Sequence, residues 1–206
     1  MGNKKRDRSY LYELGVIHGR FQVLHNDHLR YLIAGKKLCA HLVIGITNPD
    51  PSLSRSDETD PHRSLEKENP LTYYERQIMV KECLVEAGLS PDEFTIVPLP
   101  INLPELCRYY VPMDAVFFLT IYDDWGRKKL ENFKDLGLKT HILWEVPIEE
   151  KGISSADIRE AMIQGLKWEH LVPKSVMHLL NQWEITKRLR TQESRGVSIS
   201  TIDKKI

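Results

Sequence analysis

The stretch that most constrains the fold is Gly19-Arg20-Phe21-Gln22-Val23-Leu24-His25-Asn26-Asp27-His28. It follows the apolar run Leu14-Gly15-Val16-Ile17 and leads into Leu29-Arg30-Tyr31-Leu32-Ile33-Ala34. A short apolar run, a glycine turn and then apolar residues at helical spacing predict a strand that ends and a helix that begins. The first amides of such a helix have no intrahelical partner and carry the positive end of its dipole, so the junction suits a phosphate. Arg20, His25 and His28 add side chains able to donate to one. His25 and His28, three apart, share one face of the first turn. Alone, such a pair reads more simply as a cap and a surface residue. A zinc pair is a weak reading, because the spacing is unusual and no third Cys or His ligand stands nearby.

Composition sets outer bounds. A chain of 206 residues, 41% hydrophobic and 28% charged, fits one globular domain. Lys+Arg and Asp+Glu both number 29, so no net field argues for a nucleic-acid or membrane partner, and an anion site must be local. Cys39, Cys83 and Cys107 stand singly without C-x-x-C spacing, which suits a reducing compartment. No apolar run approaches a membrane span and the start leads into no signal-peptide core, so a cytoplasmic location is expected.

Strand and helix patterns then alternate. Residues 41–47 predict a second buried strand, 94–98 a third, 114–120 a fourth and 140–144 a fifth. Thr72-x-x-Glu75 is a capping box opening a helix through Gly88; further helices are expected at 104–110 and 125–136. The segment 48–70, rich in proline and charge, reads as a long mobile loop, either a lid or a disordered insertion. Residues 1–13 read as an N-terminal extension, 14–190 as the domain, and 191–206 as a polar tail after a helix ending at Lys187-Arg188-Leu189-Arg190. The expected class is α/β: a parallel five-stranded sheet with helices on both faces, in which ligands bind at the carboxyl ends of the strands.

A second motif is Gly152-Ile153-Ser154-Ser155-Ala156-Asp157-Ile158-Arg159, where Ser154 can cap a helix and leave amides and Arg159 for an anion. Together the motifs carry a resemblance. G-R-F-Q-x-x-H-x-x-H after a strand resembles the H-x-G-H signature of the nucleotidyltransferase superfamily, and within it the archaeal-type nicotinamide-mononucleotide adenylyltransferases. Asp27 stands where that family has glycine. Asn69-Pro70-Leu71-Thr72-Tyr73-Tyr74-Glu75-Arg76 resembles its N-P-F-T-x-x-E-R segment, and 152–159 its I-S-S-T-x-I-R motif. Trp168-Glu169-His170-Leu171-Val172-Pro173-Lys174-Ser175-Val176 resembles its W-x-x-L-V-P-x-x-V.

The resemblance implies a Rossmann-like fold and an in-line attack by a phosphate oxygen of an acceptor on the α-phosphate of ATP, with release of pyrophosphate. It implies His25, His28 and Arg159 as catalytic residues, and Gly19, Arg20, Phe21, Gln22, Ser154, Ser155 and Ile158 as the nucleotide and phosphate site. Magnesium is expected on the triphosphate, with no metal site of the protein's own. Ile101, Tyr122 and Arg76 are the expected acceptor pocket, although the family's acidic and amide residues are replaced by Ile101 and by Thr120-Ile121-Tyr122. The leading expectation is adenylyl transfer to nicotinamide mononucleotide or a close analogue. The alternatives are a cytidylyltransferase or other nucleotidyltransferase for a different phosphorylated acceptor, using CTP for example, and a non-catalytic nucleotide-binding regulator. The resemblance also allows a homo-oligomer.

Overall fold

The computed structural model describes residues 9–50 and 68–202, with the side chains of Trp125 and of 195–202 excepted. Five strands, β1 (Tyr12–Gly19), β2 (Cys39–Thr47), β3 (Phe94–Leu99), β4 (Val116–Ile121) and β5 (Lys139–Glu145), form one sheet in the order β3-β2-β1-β4-β5. Every neighbouring pair runs parallel. Such a sheet is buried on both sides, which is why its central strands read as continuous apolar runs.

Successive residues point to opposite faces. Ile17, Ile44 and Phe118 join Leu32, Met79, Ile158, Val176 and Ile185 in one core layer. That layer lies under α1 (Asn26–Leu38), α2 (Tyr73–Glu86), α5 (Ser155–Gln164), α6 (Lys174–Gln182) and α7 (Ile185–Ile202). Val16, Val43, Phe117 and Leu119 form the other layer with Cys107 and Phe133, from α3 (Pro104–Cys107) and α4 (Asp124–Asp135). This is the Rossmann-like α/β arrangement expected. Among the described residues, no helix is long and apolar enough to cross a membrane.

The chain departs from expectation at its ends. β1 starts at Tyr12, inside the expected extension, and α7 occupies most of the expected polar tail. Lys187 to Arg190 lie in the first turns of that helix and do not close one. Few apolar residues announce α7, but Ile185 and Leu189 bury in the core and two arginines reach neighbouring helices. Arg188 makes a bidentate pair with Glu75 at 2.7 and 2.8 Å, and Arg190 donates to the Met162 and Ile163 carbonyls at the end of α5. Most of the expected 48–70 loop lies outside the described residues.

Candidate active site

The site lies where the sheet changes direction. The β1–β4 ladder pairs Gly15 with Val116 and Val16 with Phe117. At the far side of that opening the Tyr31 hydroxyl donates to the Phe118 carbonyl at 2.9 Å. It also takes a hydrogen bond from the His18 amide. The N-termini of α1 and α5 meet at this carboxyl edge of the sheet.

His25 is the N-cap of α1, its Nδ1 accepting a long 3.4 Å hydrogen bond from the His28 amide. Acceptance at Nδ1 puts the proton of the neutral ring on Nε2, a donor for an anion. The rings of His25 and His28 stack with centroids 3.7 Å apart, and Phe21 meets His28 edge-on at 5.1 Å. Burial holds His25 down to about 4, against the opposing pull of Asp27 and Asp157. Burial lowers His28 well below the usual histidine range too, helped by His25 and Arg20. Both rings are therefore neutral at neutral pH, and the buried Nδ1 of His28 has no hydrogen-bond partner among the described residues.

The second motif is stitched to the first. Ser154 caps α5 in a capping box with Asp157, and the Ser155 hydroxyl donates to the Val23 carbonyl at 2.7 Å. Asp27 accepts from the Ile153 amide at 2.8 Å. A side chain at Gly152 would meet Asp27 Oδ2 at 2.2 Å, so glycine permits the clasp. Asp27 thus joins α1 to the loop entering α5, which explains how this chain accommodates it. Arg159, 5% exposed, donates to the Gln22 carbonyl and pairs with Glu68. A carboxylate sits on the guanidinium expected to hold a phosphate.

The structure therefore brings His25, His28, Arg20, Ser154, Ser155 and Arg159 to one crevice and revises the roles of others. Gln22 spends its amide on reciprocal hydrogen bonds of 2.9 Å with the Leu71 main chain, so it anchors the start of α2 instead of a phosphate. Phe21 is a core ring pressed against Gly19, where a Cβ would come within 2.8 Å. Ile158 is fully buried under α5. The Ser154 amide serves Asp157, which removes it from the expected phosphate donors.

The expected acceptor trio does not converge. Arg76, 1% exposed, donates to the carbonyls of Thr72, Arg20, Thr47 and Asn48, which ties together the loops after β1 and β2. Ile101 packs in the α3–α4 layer. Tyr122 lies on the α1 side, its hydroxyl accepting from Trp144 Nε1 at 2.7 Å. Sequence reasoning passed over Glu68, whose partner is 91 residues away, and His18, a lone polar ring in an apolar strand and the one signal it left.

Donors gathered at the switch point of a doubly wound sheet are the arrangement of phosphate-handling α/β proteins. The chain belongs to the cytidylyltransferase-like family of nucleotidyltransferases, whose model matches residues 16–161. It is 47% identical over 176 residues to the phosphonoformate cytidylyltransferase of Streptomyces viridochromogenes, covering 85% of this chain and 95% of that protein. It is 31% identical over 178 residues to the nicotinamide-nucleotide adenylyltransferase of Pyrococcus horikoshii, covering 85% and 87%. Among solved structures, a bifunctional NMN adenylyltransferase/ADP ribose pyrophosphatase from Francisella tularensis superimposes with a TM-score of 0.63 at 16% identity. That match covers 95% of this chain and 57% of that one, and it speaks to the fold alone.

Proposed function

We propose that the protein transfers CMP from CTP to a small phosphonate of the phosphonoformate kind and releases pyrophosphate. The observation that carries this reading is the 47% identity to the Streptomyces enzyme across 95% of its length. It supports cytidylyl transfer better than the nicotinamide-mononucleotide reading favoured by the motifs alone. The replacement of the adenylyltransferases' acidic and amide residues by Ile101 and Ile121 agrees with a different acceptor.

A phosphonate oxygen attacks the α-phosphorus of CTP, forming one P–O bond as the bond to the bridging oxygen breaks, and pyrophosphate leaves with that electron pair. The protein aligns the partners and stabilises charge. His25 offers its Nε2 proton to an α-phosphate oxygen, and Arg20 adds positive charge at the turn. The terminal phosphates displace Glu68 from Arg159. On the α1 side, the Trp144 ring with Arg30 5.3 Å from its centroid and the Tyr122 ring with Lys151 at 5.8 Å offer the base a flat support. A magnesium ion carried by the triphosphate would supply charge neutralisation and would keep most of its waters. Among the described residues no cluster of three or more ligating side chains forms a cage, so the fit rests on Asp27, which stands beside His25 and can accept from such waters.

The test crosses CTP and ATP with phosphonoformate, glycerol phosphate and nicotinamide mononucleotide, following pyrophosphate. The CTP and phosphonoformate pair is expected to be fastest. Faster release from ATP and nicotinamide mononucleotide would overturn the reading.

A further inference from the structure

His18 is the penultimate residue of β1 and faces the layer opposite the histidine pair. It is 7% exposed, and neither ring nitrogen has a hydrogen-bond partner among the described residues. Buried polar groups are nearly always paired, so an imidazole orphaned on both sides one residue before the Gly19 turn calls for a partner that arrives from outside. Its neighbours define what that partner meets. Phe133 of α4 lies 5.6 Å away between ring centroids, and Lys129 of the same helix is near enough to disfavour a second positive charge on the ring. Phe133 and Lys129 also wall a cavity of about 230 Å³ together with Leu99, Ile101, Asn102 and Asn132. That space is small and lined mostly by apolar side chains, with Asn102, Asn132, Lys128 and Lys129 as its polar members. The β1–β4 ladder ends at Val16 and Phe117, so those two strands have parted by the level of His18, while β1 remains paired with β2 through His18 and Gly45.

We infer that His18 is a specificity-determining contact of the acceptor site, donating an imidazole N–H to the carboxylate of a small phosphonate whose other end faces the α-phosphate of CTP. The inference rests on the function proposed above and extends it to a residue on the other face of the sheet. A neutral imidazole presents one donor and one lone pair, enough to hold a carboxylate while Lys129 contributes charge from the adjoining helix. The site then favours an acceptor with two anionic ends over one with a single phosphonate.

The experiment uses the full chain with CTP and magnesium, comparing phosphonoformate with methylphosphonate, which lacks the carboxylate. His18→Phe is expected to raise the KM for phosphonoformate about tenfold or more, to leave the KM for CTP within about twofold, and to erase the preference over methylphosphonate. His18→Gln, which retains an N–H donor, should recover most of that preference. In case the phenylalanine variant folds poorly, the imidazole nitrogen resonances of His18 in the wild type, assigned with His18→Gln, should shift on titration with phosphonoformate. Unchanged selectivity in the variants, or His18 resonances unmoved at saturating phosphonoformate, overturns this inference while leaving cytidylyl transfer in place. Absence of pyrophosphate release by the wild type from every acceptor and either nucleotide overturns the functional reading and this inference together.

Discussion

His25 couples the site to acid stability. In the unfolded chain the group has an ordinary histidine pKa near 6.5, and in the folded chain it is held to about 4. Between those values the unfolded state binds the proton first, so folding loses stability as pH falls through the window and is unaffected above it. From pH 7 to pH 5 this one group accounts for a loss of about 2 kcal/mol. His18 and His28 are lowered by burial in the same direction and act with it. Because asparagine also caps helices well, His25→Asn should fold at pH 7 yet lose distinctly less stability than wild type on going to pH 5, measured by urea unfolding. An equal loss would mean that the ring is not held neutral. The placement of His25 and His28 on the first turn of α1 and of Arg159 on α5 was legible because caps and spacing are local properties, while their expected roles came from the resemblance. Their commitments were not. The neutrality of the rings and the Glu68 carboxylate on Arg159 arise from tertiary burial across 91 residues of chain.

The two opening turns of α1 and α5 form one unit through the Asp27 clasp to Ile153. The sequence marks Asp27 as a departure from a family glycine whose charge should oppose phosphate; the fold adds that its carboxylate satisfies a main-chain amide. Asp27→Asn keeps the acceptor oxygen and removes the charge. It should therefore preserve the melting temperature and tighten CTP binding in the absence of magnesium by about 1 kcal/mol, the Coulomb term for two water-screened unit charges about 4 Å apart. Calorimetric titration with and without magnesium checks this, and weaker binding confined to the magnesium arm would show that Asp27 engages the metal's waters. Arg76 shows the opposite limit of sequence reading. An arginine inside a phosphate-enzyme segment invites a ligand role, yet its burial among four carbonyls makes it a splice between loops.

For the chain as a whole, the alternation of apolar runs and capped helices gave strand number, class and helices on both faces of the sheet, since each rests on residues close in sequence. α7 escaped because its length is mostly polar and its contacts are long-range: Ile185 and Leu189 in the core, Arg188 on Glu75, Arg190 on the end of α5. Arg188→Ala leaves the partly buried Glu75 carboxylate, already the N3 residue of the α2 capping box, without its bidentate partner. A loss of roughly 1–2 kcal/mol is expected in chemical unfolding at neutral pH. No change would mean that α7 contributes nothing through this pair.

The central claim is that this crevice joins a phosphonate oxygen to the α-phosphorus of CTP. Phosphorus NMR of a reaction holding CTP, phosphonoformate and magnesium tests it most directly. The account predicts a pair of coupled doublets, one in the phosphonate and one in the phosphate range, from a new P–O–P anhydride, growing in step with pyrophosphate. Pyrophosphate that appears with CMP alone, or coupled doublets that form only when ATP and nicotinamide mononucleotide are supplied, would contradict it.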